Sequence, residues 1–489
     1  MFRLNGQDAY MLYQDTPTTP MHTLKILVGR HTGRVPGIRE VKQAILANLD
    51  SVPGLRRRIV WVPFGLHHPV VIDDPEFDID LHVHRLAAPA PGGAAELDEV
   101  IAQISSHPLD HSRPLWELWM VEGLCQGRVA YVVKLHHAIA DGQDVVNQLE
   151  RLFGAAVRPG QATAGQPWRP EPVPSVHRLI VDALRDQVRD IERLPALIGR
   201  TLRSVRRILR RWQAGQLRFP LPKDVPSTPF NRSLCGQRDF VTVRFALADF
   251  KQIKSVLGGT VNDVVVSVVA GALRGYLLDR GCLPAQPLVA SIPAAGIEEP
   301  DARRVFGNTA SGMPVFLRTD LEDVGERFAA TRQALAGGKE FLELLGRDAF
   351  HNWTAYVPPL LYLAWQRLRV HFRLAERRHG DINVIISNVP GPRVHGTVDG
   401  FELQELISGG PLMEGMALNI TAWSFGDQLN FGLVACRRAV PDLEQLAGRL
   451  QRQHAELFVL AARRCEGATD PDRSHGAAIA GGNPRACRS

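Results

Sequence analysis

The segment Lys134-Leu135-His136-His137-Ala138-Ile139-Ala140-Asp141-Gly142-Gln143 brings two imidazoles, a carboxylate and a glycine close together. An imidazole titrates near pH 6.5, so its neutral ring can take a proton from a hydroxyl group near neutral pH, the work of a general base. Asp141 can fix the loop through a hydrogen bond or an arginine pair, and Gly142 removes a side chain that would crowd a substrate. A metal centre needs at least three ligands, and the segment offers neither an H-E-x-x-H pattern nor a nearby cysteine. The plain alternative is structural, with histidines that cap a strand and are satisfied by backbone groups. The combination of residues favours chemistry. No G-x-S-x-G elbow and no phosphate loop ending in Gly-Lys-Ser/Thr occurs in the chain, and a base without an evident nucleophile suggests direct transfer.

Such a base needs a rigid support. Val129 to Leu135 is a run of branched and apolar residues that reads as a buried strand, and Val145, Val146, Leu149, Leu152 and Phe153 recur at helical spacing up to Gly154. The histidines therefore sit where a strand ends and a helix begins. His67 and His68 are also adjacent, but Pro69 follows directly, Asp73 lies further off and no glycine follows it; that pair is expected at a strand end on the surface. Strands are expected within 20–29 and 59–84, a helix over 95–106, and a long basic helix over 176–212 between Pro-rich breaks at 155–175 and 219–229. In the second half a strand is expected around 239–245. Thr260 with Asp263 forms a capping box, Asn383 to Ser387 reads as a strand entering the turn at Asn388, and a hairpin spans 418–436. Leu443, Leu446, Leu450 and Leu457 mark a last helix, with a disordered tail after it.

A chain of 489 residues calls for two core-bearing units, and its 45% hydrophobic and 22% charged residues are those of an ordinary globular protein. Its division is expected at 1–175, 176–229, 230–465 and a tail over 466–489. The six cysteines contain no C-x-x-C pair, which suggests neither a zinc knuckle nor a disulfide framework and points to a reducing compartment. The N-terminal residues lack the apolar core of an export signal, and the apolar run Val264 to Leu273 is only half of the roughly 20 residues a spanning helix needs. The net charge of +6 is local: residues 200–212 hold six arginines and no acid.

The H-H-A-I-A-D-G segment resembles the H-H-x-x-x-D-G motif of acyl-CoA-dependent acyltransferases with the chloramphenicol acetyltransferase and condensation-domain fold. Flanking segments narrow the resemblance to the bacterial wax ester synthase/diacylglycerol acyltransferase family: T-P-T-T-P-M-H at 16–22, W-V-P-F-G at 61–65, D-D-P-E-F-D-I-D at 73–80 and P-L-W-E-L-W at 114–119. In the second half T-V-N-D-V-V at 260–265, G-N at 307–308, S-N-V-P-G-P at 387–392 and L-N-F-G-L-V-A at 429–435 are similar to family signatures. The resemblance spans about residues 7 to 460.

It implies an α/β fold of two chloramphenicol-acetyltransferase-like subdomains, each a mixed sheet with helices, with an active-site tunnel between them. It implies His137 as general base, His136 as a supporting residue and Asp141 as a loop-holding one. Gly142, Pro114, Leu115, Trp116, Asn262, Asp263 and Asn388 would line the substrate path, although Trp116 can equally be core, Asn262 with Asp263 read plainly as a helix cap, a role compatible with the site, and Asn388 can equally be no more than part of a tight turn. Acyl-CoA would be a substrate, with no cofactor, no metal and no covalent acyl-enzyme; diacylglycerol or a long-chain alcohol would accept the acyl group. Acylation of another hydroxyl compound, or an inactive lipid-binding protein, are the alternatives. Two departures stand out: L-N-G-Q-D-A-Y-M-L at the start differs from the usual L-S-P-x-D opening, and Cys436 stands where an acidic residue is more common.

Leu194, Ile198, Leu202, Val205, Leu209 and Trp212 recur at steps of three and four opposite the arginines, the pattern of a helix lying in an anionic bilayer surface. A crossover helix packed on the protein with a solvated basic face would look the same. The membrane version places the chain in the cytoplasm, peripheral to the inner membrane or lipid droplets, with Tyr356 to Trp365 either as a second apolar contribution or, equally, as a core helix. No nucleic-acid partner is expected.

Overall fold

The computed structural model describes residues 1–139, 170–294, 311–377, 380–391, 397–398 and 400–469. The first half forms β1 (Phe2–Arg3), α1 (Gly6–Gln14), β2 (His22–His31), α2 (Ile38–Asn48), β3 (Arg57–Val60), β4 (Val70–Asp73), β5 (Val83–Ala87), α3 (Ala94–Ser106), β6 (Trp116–Glu122) and β7 (Val129–His136). Helix α4 (Val176–Gln213) crosses to the second half, which begins with β8 (Arg238–Ala246), α5 (Leu247–Leu257), α6 (Val261–Asp279), β9 (Val289–Ala294), β10 (Ser311–Phe316) and α7 (Val324–Leu345). There follow α8 (Ala349–Thr354), α9 (Pro359–His371), β11 (Val384–Val389), β12 (Thr397–Val398), β13 (Phe401–Gly409), β14 (Leu418–Phe425), β15 (Gln428–Cys436) and α10 (Leu443–Thr469).

Two mixed six-stranded sheets organise the molecule, in the orders β12-β13-β2-β7-β6-β5 and β10-β9-β11-β14-β15-β8; β1, β4 and β3 form a small third sheet. Alternation along β7 sends Val129, Tyr131, Val133 and Leu135 into a core shared with α1 and α2. Ala130 and Val132 point the other way, into a larger core that continues through α3 into the second sheet. Covered on both faces, the strand carries the nearly unbroken apolar run seen in the sequence.

The expected second unit at 230–465 is not self-contained. Strand β13 leaves it and pairs with β2 of the first sheet over Phe401–Gly409, and β12 extends the same edge. An uncovered β2 would present a row of unpaired backbone groups, so the exchange closes a sheet edge. Helix α1 meets α8 and α9 as well. Gly6 makes this possible, because a Cβ there would run into the Ala355 backbone nitrogen. Asn5 caps the start of α1, accepting a hydrogen bond from the Asp8 N–H at 2.9 Å.

The apolar run at 264–273 is the middle of a longer helix. At 19 residues α6 is long and apolar enough to cross a membrane, yet Val264, Val265, Val266, Val268, Val269 and Leu273 are fully buried in the protein core. Thr260 and Asp263 form the foreseen capping box: Asp263 Oδ2 accepts from the Thr260 N–H at 2.7 Å, and Thr260 Oγ1 accepts from the Asp263 N–H at 3.2 Å. The helix expected after Gly142, most of the linker at 155–175 and the tail from 470 lie outside the described residues.

Helix α4 packs on the protein along one side and leaves an apolar row uncovered on another. Leu197, Ser204 and Ile208 are buried against the protein, whereas in the predicted apolar row Leu194 is half-buried and Ile198, Leu202, Val205, Leu209 and Trp212 are exposed.

His67 and His68 are not on the surface. His68 is 2% exposed; its Nδ1 bonds the Tyr13 hydroxyl at 2.7 Å and its Nε2 the Ala355 carbonyl at 3.0 Å. His67 Nε2 meets Asp190 Oδ2 at 3.2 Å. The covering groups come from α4 and the end of α8, far along the chain, so no local pattern around the pair could show them.

Candidate active site

Strand β7 is central in its sheet and stops at His136, where both neighbouring segments hold its end. The His136 N–H donates to the Leu115 carbonyl at 3.0 Å and the His137 N–H to the Met21 carbonyl at 2.8 Å. The P-L-W and T-P-T-T-P-M-H segments thus meet at the two histidines. A turn closes there, with the Ile139 N–H bonded to the His136 carbonyl at 3.0 Å.

The two imidazoles have different surroundings. His136 is completely buried; His137 is half-buried. His136 Nδ1 accepts from the Ala138 N–H at 3.0 Å, so the proton of a neutral ring sits on Nε2, which donates to Asp15 Oδ2 at 3.0 Å. The same Asp15 oxygen is 3.1 Å from His111 Nε2, and the His111 ring stands edge-on to that of His136 at 5.7 Å. Asp15 itself caps the C-terminal end of α1, where Pro17 prevents the helix from continuing. One carboxylate thereby ties α1, the loop before Pro114 and the histidine turn together.

Neither Asp15 nor His111 stood out in the sequence. The available signal was position: Asp15 directly precedes T-P-T-T-P-M-H, and His111 stands three residues before Pro114. The ligand atoms of Asp15, His111 and His136 lie within 4.8 Å of one another, a set able to hold a metal ion. Here the carboxylate oxygen already accepts from both rings, and metal coordination would require removing the His136 Nε2 proton and drawing the ligands to about 2.0–2.2 Å from the ion.

Burial pushes the His136 imidazole below its ordinary value despite the pull of Asp15. Burial would raise the Asp15 carboxyl, but hydrogen bonds from His111 and His136 outweigh it and hold the group well below the usual carboxylate range. The contact is therefore a neutral imidazole donating to a carboxylate. Two residues earlier, buried Lys134 reaches Glu117 Oε2 at 3.1 Å.

Leu115 and Trp116 are each 1% exposed, and Pro114 is buried. Trp116 stacks on His82 at 4.7 Å and donates its indole N–H to the Leu55 carbonyl at 2.7 Å. It is placed as core, with its one donor satisfied inside the protein. Asn262 and Asn388 come together: Asn388 Nδ2 donates to Asn262 Oδ1 at 3.3 Å, joining the start of α6 to β11. Asn388 belongs to that strand rather than to the turn after it. Asp263 is occupied by its cap. Asp141, Gly142, Gly307 and Asn308 lie outside the described residues.

Residues 4–265 match the model of the wax ester synthase/diacylglycerol acyltransferase catalytic domain, and residues 306–457 match the C-terminal domain of the same proteins. The chain belongs to the wax ester synthase/diacylglycerol acyltransferase family. A candidate diacylglycerol O-acyltransferase of Mycobacterium tuberculosis is 38% identical over 484 residues, which cover 95% of this chain and 98% of that protein. Another from the same organism is 36% identical over 465 residues, covering 94% and 96%. The solved wax ester synthase/diacylglycerol acyltransferase of Marinobacter aquaeolei VT8 superposes with a TM-score of 0.65 at 25% identity, over 94% of this chain and all of that one. The first condensation domain of the CDA synthetase shares the fold alone, with a TM-score of 0.56 at 17% identity over 94% and 96% of the two chains. Membership makes this wax ester synthase/diacylglycerol acyltransferase homologue an acyltransferase, and the two-sheet α/β architecture is the one its signatures implied.

The buried histidines of this acyltransferase make its stability depend on pH. Burial lowers His22, His82 and His136, and lowers His68 to about 4. Unfolded histidine takes up a proton near pH 6.5, so below that value the unfolded chain binds protons that the folded one refuses. This stability is fully present about one unit above 6.5 and falls as pH drops through that value. Asp15 acts with the same sign further down, staying ionised where an unfolded carboxyl protonates. One unit below 6.5, each fully depressed histidine removes about 1.4 kcal/mol. The expected result is a melting temperature that falls steadily from about pH 7.5 to about 5.5; a flat profile would contradict the burial of these rings as neutral groups.

Proposed function

We propose that the chain is an acyl-CoA-dependent O-acyltransferase that esterifies diacylglycerol to triacylglycerol, with long-chain alcohols as further acceptors giving wax esters, and that His137 is its general base. The observation that carries this is the asymmetry of the histidine turn: His136 is buried and locked by Asp15, while its neighbour, anchored through its backbone to Met21, keeps a partly exposed ring. The similarity to candidate diacylglycerol O-acyltransferases over nearly the whole chain supports the acceptor class.

In this reading the acceptor hydroxyl passes its proton to His137 as its oxygen attacks the thioester carbonyl. The carbon–sulfur bond then breaks, and the imidazolium returns the proton to the leaving thiolate. The thioester is already activated and both substrates are held together, so no covalent acyl-enzyme and no cofactor are required. Asp141 and Gly142 would shape the loop behind the base, and Asn262 with Asn388 would contribute from the second half.

The deciding measurement is thiol release from a long-chain acyl-CoA with no acceptor, with diacylglycerol, with a long-chain alcohol and with a panel of other hydroxyl compounds. Release stimulated by diacylglycerol with triacylglycerol formed is the expected outcome. Stimulation only by an unrelated hydroxyl compound would displace the acceptor assignment, and binding of lipid without release under any condition would overturn the enzyme reading.

Membrane attachment belongs to the same proposal. The exposed row on α4 is joined by Leu360, Leu361, Trp365 and Leu368 on α9, by Phe372 just after it and by Phe64, which is 78% exposed. The turn Pro63–Gly65 touches both helices. Arg200, Arg203, Arg207, Arg210 and Arg347 line a groove of about 600 Å³ between α4 and the start of α8. Apolar side chains beside a cluster of guanidinium groups suit an anionic lipid surface at the inner membrane or a lipid droplet, where acceptor and product dissolve. Sedimentation with anionic liposomes should be lost when Arg203, Arg206, Arg207 and Arg210 are changed to glutamate, and weakened by Leu361→Asp with Trp365→Asp. Unchanged binding by both variants would refute the attachment.

A further inference from the structure

Cys235 and Cys436 are 201 residues apart in sequence, yet their sulfurs lie 3.2 Å apart. The Cys235 N–H also donates to Cys436 Sγ at 3.3 Å. Cys436 is the last residue of β15 and is completely buried; Cys235, just before β8, is partly exposed. A small oxidant in solution can thus reach one sulfur while the other waits behind it. We propose that this dithiol is a redox-modification site that reacts with hydroperoxides and closes to a Cys235–Cys436 disulfide.

The chemistry balances as follows. The Cys235 thiolate attacks one oxygen of the hydroperoxide, the O–O bond breaks, and an alcohol or water leaves as Cys235 becomes a sulfenic acid. The Cys436 thiol then attacks the sulfenyl sulfur; the S–S bond forms and water leaves with the Cys436 proton. Two thiols are oxidised and one peroxide is reduced.

The surroundings support the direction of attack. Burial would raise the Cys235 thiol, but the Arg438 backbone N–H, the Cys436 thiol and the Arg238 guanidinium outweigh it and lower the group, favouring the nucleophilic thiolate. Burial pushes the Cys436 thiol up, which suits the resolving partner.

The site is wired to the histidine turn. Arg238, which pairs with Cys436 across β8 and β15, donates to the Cys235 carbonyl and, through its other nitrogen, to the Thr18 carbonyl at 2.7 Å. Thr18 stands three residues before Met21, whose carbonyl holds His137. Forming a bond of about 2.05 Å pulls the sulfurs together by roughly 1 Å, and the pull reaches Arg238 and the segment that anchors His137.

The test is to treat the full chain with hydrogen peroxide, alkylate the remaining thiols, and map crosslinked peptides by mass spectrometry beside an acyl-transfer assay. The expected result is a Cys235–Cys436 crosslink with a several-fold loss of turnover, both reversed by dithiothreitol. Cys436→Ser should abolish the crosslink and leave a dimedone-reactive sulfenic acid at Cys235; if that variant fails to fold, Cys235→Ser gives the complementary loss of crosslink at a partly exposed position. Recovery of both cysteines in alkylated form after peroxide treatment would overturn the proposal. Equal inactivation of wild type and Cys235→Ser would overturn its link to turnover. The covalent readout is independent of the acyl-transfer reading, so the two can fail separately.

Discussion

Replacing His137 with alanine is expected to lower acyl transfer by roughly two to four orders of magnitude, the usual contribution of a positioned general base. The fold should survive, because the side chain is half-buried and the anchoring bond to Met21 is made by the backbone N–H, which alanine keeps. The loss should fall on turnover more than on the half-saturating acyl-CoA concentration, since proton removal matters only as the acceptor oxygen attacks. Thiol release and thermal unfolding measured on the same preparation check both halves. A His137→Ala protein with ordinary activity and an unchanged melting temperature would remove the residue from the reaction.

Asp15→Ala is the second large effect, and it should be felt as both stability and rate. The carboxylate accepts from two imidazole N–H groups, one of them fully buried. Deleting it strands the His136 donor without its acceptor, and the expected cost is about 2–4 kcal/mol. Turnover should fall as well, because the freed His136 ring no longer fixes the turn that carries His137. Asp15→Asn separates the two consequences. Its amide oxygen can still accept from His136 Nε2, so most of the geometry and activity should return without the charge. If the asparagine variant is as inactive as the alanine variant while melting like wild type, Asp15 acts by charge and not by positioning.

The acid dependence of stability, the exposed apolar side chains of α4 and α9 and the dithiol all arise where distant segments meet, and here the reach of the amino-acid sequence ends. Much of the molecule was legible without coordinates. The run from Val129 to Leu135 had to be a strand covered on both faces, since only burial on both sides tolerates so few polar residues. Thr260 with Asp263 announced the start of α6, and Gly426-Asp427 announced a tight turn between β14 and β15. Those features depend on neighbours within a few residues, and so did the placement of two histidines at a strand end.

Partnership across the fold followed other rules. That His136 is the locked ring depends on Asp15, 121 residues earlier. That His67 and His68 are interior depends on Asp190 and Ala355 closing over them. Trp116 went to the core because Leu55 and His82 meet it there, and β13 crossed to the first sheet because β2 needed a partner along its edge. Cys235 and Cys436 became a pair only through the register of β8 and β15. Periodicity and capping are local and are written in the chain, whereas the choice of which polar group satisfies which is settled by burial, and burial exists only once all the elements have packed.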